Sequence, residues 1–218
     1  ILFYMIATYH GGLFLKLQTG DTTIAINPIS KESGKKTTKF GSDICLVSTN
    51  LPLTNGTEFA ENAGKTPFII SGPGEYEVKG ITFKGIESKF KWIVGKELVE
   101  KINTTYVFTF DGIKICVLGA MTGKLEASVR DEISGCDVLV LPVLEGREGE
   151  SFLSVHDAVS IANNLEPAII IPVGYDDKTL PQFLKESGSL GLQVIDKLTI
   201  KKKDLDGKEG TVITLDEI

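Results

Sequence analysis

The chain has 218 residues, of which 42% are hydrophobic, 24% charged and 8% aromatic, enough to bury the core of one large domain. Its formal charge of 23 − 29 = −6 argues against a nucleic-acid or anionic-membrane binder, which needs a basic face. No apolar run approaches the roughly 18 residues of a membrane-spanning helix.

The opening segment, ILFYMIATY, is apolar without a basic leader or a small-residue cleavage site, so it reads as a strand. Met5 is a candidate natural start, with Ile1 to Tyr4 as an upstream remnant. LFLKLQ and TTIAINP follow as strands, with turn signals at Gly11-Gly12 and Gly20-Asp21. Lys31 to Thr38 reads as a linker. ICLVST is a continuous apolar run, consistent with a strand buried on both faces. PFIIS, the alternating EYEVKGITFKGIE, TTYVFTF and IKICVLG come next, with Phe90 to Lys101 read as an insertion or lid. Asp111-Gly112 is a strong hairpin signal.

The second half changes rhythm. Leu125, Val129 and Ile133 are spaced as on a helix. DVLVLPV reads as a buried strand. Ser154 to Leu165 reads as a helix capped by Ser154, with Asp157 in the capping-box position. AIIIPVGY is another buried strand, and Thr179 to Glu186 a helix with Asp177 as its cap. QVID, KLTIKKKD and GTVITLDE close the chain as strands with Asp206-Gly207 as a turn, residues 191–218 being expected to form an appended hairpin on a single domain spanning 1–218, with Lys201 to Lys203 on a solvated edge strand.

The chemistry-bearing residues are few. Cys45, Cys116 and Cys136 are far apart and each lies in an apolar stretch, as small buried thiols of a reducing cytoplasm do. His10 and His156 are too distant in sequence to furnish a His-rich zinc site. His156 reads as a solvated helix-face residue, and its spacing from Ser154 does not make a nucleophile pair. Gly72-Pro73-Gly74 reads as a structural turn. The amides of Gly119 to Gly123 before the helix are a slightly better anion cradle.

The order of these segments resembles the metallo-β-lactamase superfold. Within it the similarity is to the small bacterial branch related to L-ascorbate-6-phosphate lactonase and its uncharacterised metal-dependent hydrolase relatives. The residues that carry it are GDTTIAINP, CLVST with its loop, FIISGPGEYEVKGITFKGI, GIKICVLGA, CDVLVLPV and EPAIIIPVGY, covering about Met5 to Gly188. The resemblance implies an α/β fold, a four-layer αββα sandwich with a metal site at one edge. There a histidine-rich loop and later Asp and His residues hold paired ions that activate a water.

Carried onto this chain, the family's first two histidines fall on Thr49 and Leu51, its aspartate on Leu53 and its third histidine on Thr54. The later aspartate falls on Ala120 and the histidine of the IPxxY ending on Gly174. The family's Asp-Pro is Asn27-Pro28 here, and a further histidine position falls at Lys89 to Phe90. Hydroxyls are weak neutral donors and leucine and alanine offer none. The resemblance therefore implies an abandoned site: no metal, no cofactor, no catalytic residue.

The expected function is that of a pseudoenzyme, a hydrolase-like scaffold kept for binding, regulation or structure in a bacterial cytoplasm. Its vestigial cleft would be built from His10, Thr49, Leu51, Leu53, Thr54, Ala120, Gly174 and Asp176, either open to a small molecule or filled. A small molecule or a protein is the expected partner, not a nucleic acid or a membrane, and the resemblance also implies self-association as a homo-oligomer. The alternative is a working hydrolase using an atypical set such as His10, Asp176 and Asp177, with or without a hard cation.

Overall fold

The computed structural model describes residues 4–94, 97–144, 150–151, 153–189 and 194–218. β1 (Met5–Tyr9), β2 (Leu15–Thr19) and β3 (Thr22–Ile26) form a meander, the last two joined through Gly20-Asp21. β4 (Ile44–Val47), buried at every position as its apolar run requires, and the edge strand β5 (Phe68–Ser71), buried only at Ile70, then extend the sheet in parallel. The alternating stretch after Gly72 is two strands, β6 (Gly74–Val78) and β7 (Ile81–Val94). It breaks at Lys79-Gly80, where both residues take positive φ, as a two-residue hairpin turn demands.

β7 pairs along its length with β8 (Glu97–Phe110), and Asp111-Gly112 turns β8 into β9 (Ile113–Val117). α1 (Ala127–Ile133), β10 (Val138–Pro142), β11 (Glu150–Ser151), α2 (Val155–Leu165), β12 (Ile169–Val173) and α3 (Thr179–Glu186) follow. β10 and β12 are buried along their whole length and run parallel to each other and to β9. β13 (Leu198–Ile200) and β14 (Thr211–Val212) close the chain.

Two sheets result. One has six strands in the order β13-β1-β2-β3-β4-β5; the other has eight, in the order β11-β7-β8-β9-β10-β12-β14 with β6 beside β7. The period-2 alternation of each strand divides its side chains between two faces. Met5, Ala7, Leu15, Leu17, Ile24, Ile44 and Leu46 meet Phe83, Phe108, Ile115, Val138 and Ile171 in a central core between the sheets. On the outer face of the second sheet, Cys116, Leu139, Leu141 and Ile170 are covered by Val129 of α1, Ala158 and Ile161 of α2 and Phe183 of α3. The first sheet is covered differently. Phe14, Ala25, Cys45 and Val47 lie under a lid of loops that includes Phe40, Phe59 and Ala60, with 3₁₀ turns at Lys31–Ser33 and Thr57–Phe59.

Several expectations are corrected. Residues 191–218 do not form an appended hairpin: β13 joins the first sheet against β1, and β14 joins the second against β12. The closing segment thus clamps both sheets, and Asp206-Gly207 only marks the crossing between them. Lys202–Leu205 is a 3₁₀ turn rather than edge strand, anchored by the Lys201 amide donating to Asp204. Phe90 to Lys101 is not a lid. Its described part continues the β7–β8 ribbon, and Phe90 is 1% exposed in the central core. Lys31 to Thr38 folds back on the first sheet, where the Thr37 hydroxyl donates to the His10 carbonyl. α1 begins at Ala127, and Gln193 of the expected QVID strand lies outside the described residues.

Candidate functional site at the sheet edge

The loop that leaves β4 runs from Ser48 to Thr54 along one edge of the sandwich, and hydrogen bonds fix its course. Asn27, at φ 50 just past β3, accepts the Ser48 amide on its side-chain oxygen at 2.8 Å. The Ser48 carbonyl accepts the amide of Thr104 on β8 at 2.7 Å, which ties the two sheets together at this edge. Tyr106, two residues on, donates its hydroxyl to the Val47 carbonyl at 2.8 Å and accepts the Gly72 amide at 3.2 Å. Burial raises the Tyr106 phenol well above its usual range, so it stays a neutral donor.

Asn103, next to Thr104, is fully buried and organises the second sheet's contribution. Its amide nitrogen donates to the Ser88 hydroxyl at 2.7 Å and to the Leu118 carbonyl at 2.8 Å, while its oxygen accepts the Ala120 amide at 2.8 Å. Gly119 lies against this network at φ +71. A Cβ there would fall 2.5 Å from the Asn103 oxygen and 2.5 Å from the Ser48 Cβ. Only glycine permits that approach.

The remaining loop residues turn inward. The Thr49 hydroxyl donates to the Ile102 carbonyl at 2.9 Å, and the buried Thr54 hydroxyl donates back to the carbonyls of Thr49 and Leu51. Leu51, 6% exposed, and Ala120, fully buried, belong to the central apolar core, with Leu53 packed against it. Gly174, at the end of β12, donates its amide to Tyr9 Oη at 3.2 Å and faces Leu13 and Leu144.

His10 points elsewhere. Like Thr8 it lies on the outer face of the first sheet. Its ring is hydrogen-bonded to the hydroxyls of Thr8 and Thr38 and packs against Phe14 and Phe40. Burial, reinforced by nearby Lys16, lowers its pKa to about 4, so the ring is neutral at physiological pH. Asp176 caps the first turn of α3 by accepting the amides of Thr179 and Lys178, and those bonds hold its carboxyl below the usual range; Lys178, not Asp177, occupies the N-cap position. No hydrogen bond joins His10 to Asp176, and each already has partners. His156 is exposed on α2, and Ser154 caps that helix by accepting the Asp157 amide. The three cysteines are buried and free; burial pushes Cys45 up to about 12 and Cys136 to about 11.

A metal centre does not fit this edge. Thr49, Leu51, Leu53 and Thr54, with Ala120 and Gly174, offer methyls, committed hydroxyls and a glycine hydrogen. Among the described residues no group of three His, Cys, Asp or Glu is placed to hold an ion. Position 89–90 gives an exposed Lys89 paired with Glu100 at 3.1 Å and a core phenylalanine.

Beside the loop, between the ends of β4 and β5 and the middle of β8, lies a groove of about 500 Å³. Its rim carries the half-exposed Ile69 and Ile102, its wall Ser48, Thr49, Asn55 and Thr104. A smaller hollow of about 200 Å³ lies by Lys89, Lys91 and Thr122.

The arrangement of strands and edge loops matches that of a known family, whose beta-lactamase superfamily domain model aligns with residues 7–174. The chain belongs to the beta-lactamase superfamily. Several proteins of known structure share its architecture. A Thermotoga maritima protein assigned to the Zn-dependent hydrolases of the metallo-beta-lactamase superfamily superposes with a TM-score of 0.75 at 24% identity, covering 98% of this chain and 100% of that one. A metallo hydrolase from the archaeon Ignicoccus hospitalis gives 0.62 at 16% identity, over 91% and 99% of the two chains. An assigned metal-dependent hydrolase from Parabacteroides distasonis gives 0.65 at 15%, over 87% and 91%. Among curated proteins none matches. At these identities the superfamily likeness defines the fold alone, and function must be read from the site.

The sequence offered no route to Asn103, Ser88 or Tyr106. The only available hint was a buried-type strand, TTYVFTF, directly preceded by an asparagine. Nor did it show that His10 and Thr38, 28 positions apart, meet.

Proposed function

We propose that this protein is a catalytically degenerate member of the superfamily, a non-enzymatic binding or regulatory scaffold. One observation supports this above all: Leu51 and Ala120 are part of the central core, with Leu53 packed on it, where the superfamily's ion-holding residues fall by resemblance. Filling that volume with aliphatic carbon removes the donors and also the space and polarity that an activated water needs. The neighbouring hydroxyls do not substitute, since those of Thr49 and Thr54 donate to backbone carbonyls.

Chemistry through the alternative set finds no support in the geometry. His10 lies on the outer face of the first sheet and Asp176 caps a helix. The test is elemental analysis of protein purified without chelator, with a phosphodiester and lactone substrate panel. The expected result is less than stoichiometric zinc, manganese or iron and no turnover. One or two tightly held ions per chain, or a rate abolished by His10→Ala or Asp176→Ala, would overturn the reading.

A further inference from the structure

The groove beside the plugged edge is lined by three residues with a buried polar atom that lacks a hydrogen-bond partner among the described residues: Ser48, Asn55 and Thr104. Ser48 is 2% exposed and lines the groove, yet its hydroxyl has no hydrogen-bond partner among the described residues. Asn55 lines it too: its amide nitrogen donates to Asn50 at 2.7 Å, while its buried Oδ1 accepts nothing. Orphaned buried groups of this kind are uncommon, because each carries a desolvation cost with no hydrogen bond to offset it. Three in the lining of one groove mark it as built to meet something.

The lining specifies the chemistry. Among the described residues no acidic, basic or histidine side chain lines the groove, so a formally charged ligand would be desolvated there without a counter-charge. No aromatic ring lines it either, so a flat nucleobase would have nothing to stack on. What lines it is hydroxyl and carboxamide groups flanked by the aliphatic faces of Ile69, Ile102 and Pro73. A molecule that alternates C–H with O–H matches that mixture; once the Ser48 hydroxyl and the Asn55 carboxamide, both closed off from solvent, rotate toward the groove, its hydroxyls can donate to Asn55 Oδ1 and either donate to or accept from Ser48 Oγ. We infer that this groove binds a neutral polyol of monosaccharide size. The inference rests on the non-catalytic reading above, and its volume falls in the range of small-ligand sites.

The experiment titrates the whole chain with xylose, glucose and xylitol, and in parallel with the anion gluconate, following backbone amide resonances. At least one neutral probe is expected to give saturable shifts confined to Ser48–Thr57 and Ile69–Pro73, with gluconate giving none. Ser48→Ala and Asn55→Leu should each weaken that binding by about tenfold, the loss of one ligand hydrogen bond. Ser48→Ala should leave the melting temperature unchanged or raised, since it removes an orphaned group, and Asn55→Leu should hardly change it, since the bond to Asn50 that it also loses is solvent-exposed; a purely structural residue would lower it. Gluconate binding as tightly as the neutral probes overturns the inference. So does the absence of saturable shifts with any neutral probe, which would mean that the groove holds only water. Turnover of a bound probe would instead sink the non-catalytic reading while leaving the groove's occupant established.

Discussion

Ser48 and Leu51 lie three positions apart on one loop and meet opposite surroundings. Ser48 enters a seam of directional bonds in which Asn27, Asn103 and Thr104 fix backbone amides and carbonyls from both sheets. Leu51 enters a core held by contact and the exclusion of water. At a polar seam each missing partner strands a buried group, so the structure is intolerant of change atom by atom. At an apolar plug the cost grows with the volume removed, and neighbours can relax into the gap. This edge is thus two materials side by side: one rigid through geometry, one solid through packing.

The sharpest way to break this comparison is at Gly119. Gly119→Val combines a left-handed backbone with collisions against Ser48 and Asn103, and should cost on the order of 4 kcal/mol or prevent folding. Urea unfolding would measure it; a loss below about 1 kcal/mol would mean that the seam yields more easily than its geometry implies. Asn103→Leu is next. It strands the Ala120 amide and takes one bond each from the Leu118 carbonyl and the Ser88 hydroxyl, which keep Thr105 and, for Ser88, the Asn103 carbonyl as partners, for about 3 kcal/mol. Leu51→Ala probes the other material and should cost about 2–3 kcal/mol, with Leu51→Met nearly neutral. If Leu51→Met were as damaging as Asn103→Leu, the plug would have to be as exacting as the seam.

His10 lies outside both regions and gives the smallest effect, as a control. Its folded pKa, about 4, lies below the ordinary value of 6.5. The unfolded chain therefore binds the proton more readily, and stability falls as pH drops from about 6.5 towards 4. The loss should reach on the order of 2 kcal/mol and vanish in His10→Gln. Urea midpoints at pH 7 and pH 4.5 would show it. A flat profile in the parent chain would mean that the ring protonates in place and that the Phe14–Phe40 cage opens to water.

The sequence made the second sheet legible because DVLVLPV and AIIIPVGY are apolar at every position, a pattern that parallel strands covered on both faces require. Asp111-Gly112 was legible because its turn needs two positive φ angles. The polar seam was hidden, since Asn103 lies fifteen residues from both Ser88 and Leu118 and only strand pairing brings them together. The end of the chain misled for the opposite reason. Asp206-Gly207 is a sound local turn signal, but the strands on either side of it pair with sheets begun far upstream. Local turn chemistry says where a chain bends; which edge it then joins depends on which unpaired backbone is nearest.

The uneven roofing of the two sheets has a consequence for reactivity. Cys45 sits beneath loops and 3₁₀ turns, Cys116 beneath three helices. Segments with few regular hydrogen bonds lift at lower free energy than docked helices. A thiol reagent added to the folded protein should act as a two-handed clock, with Cys45 modified while Cys116 still waits.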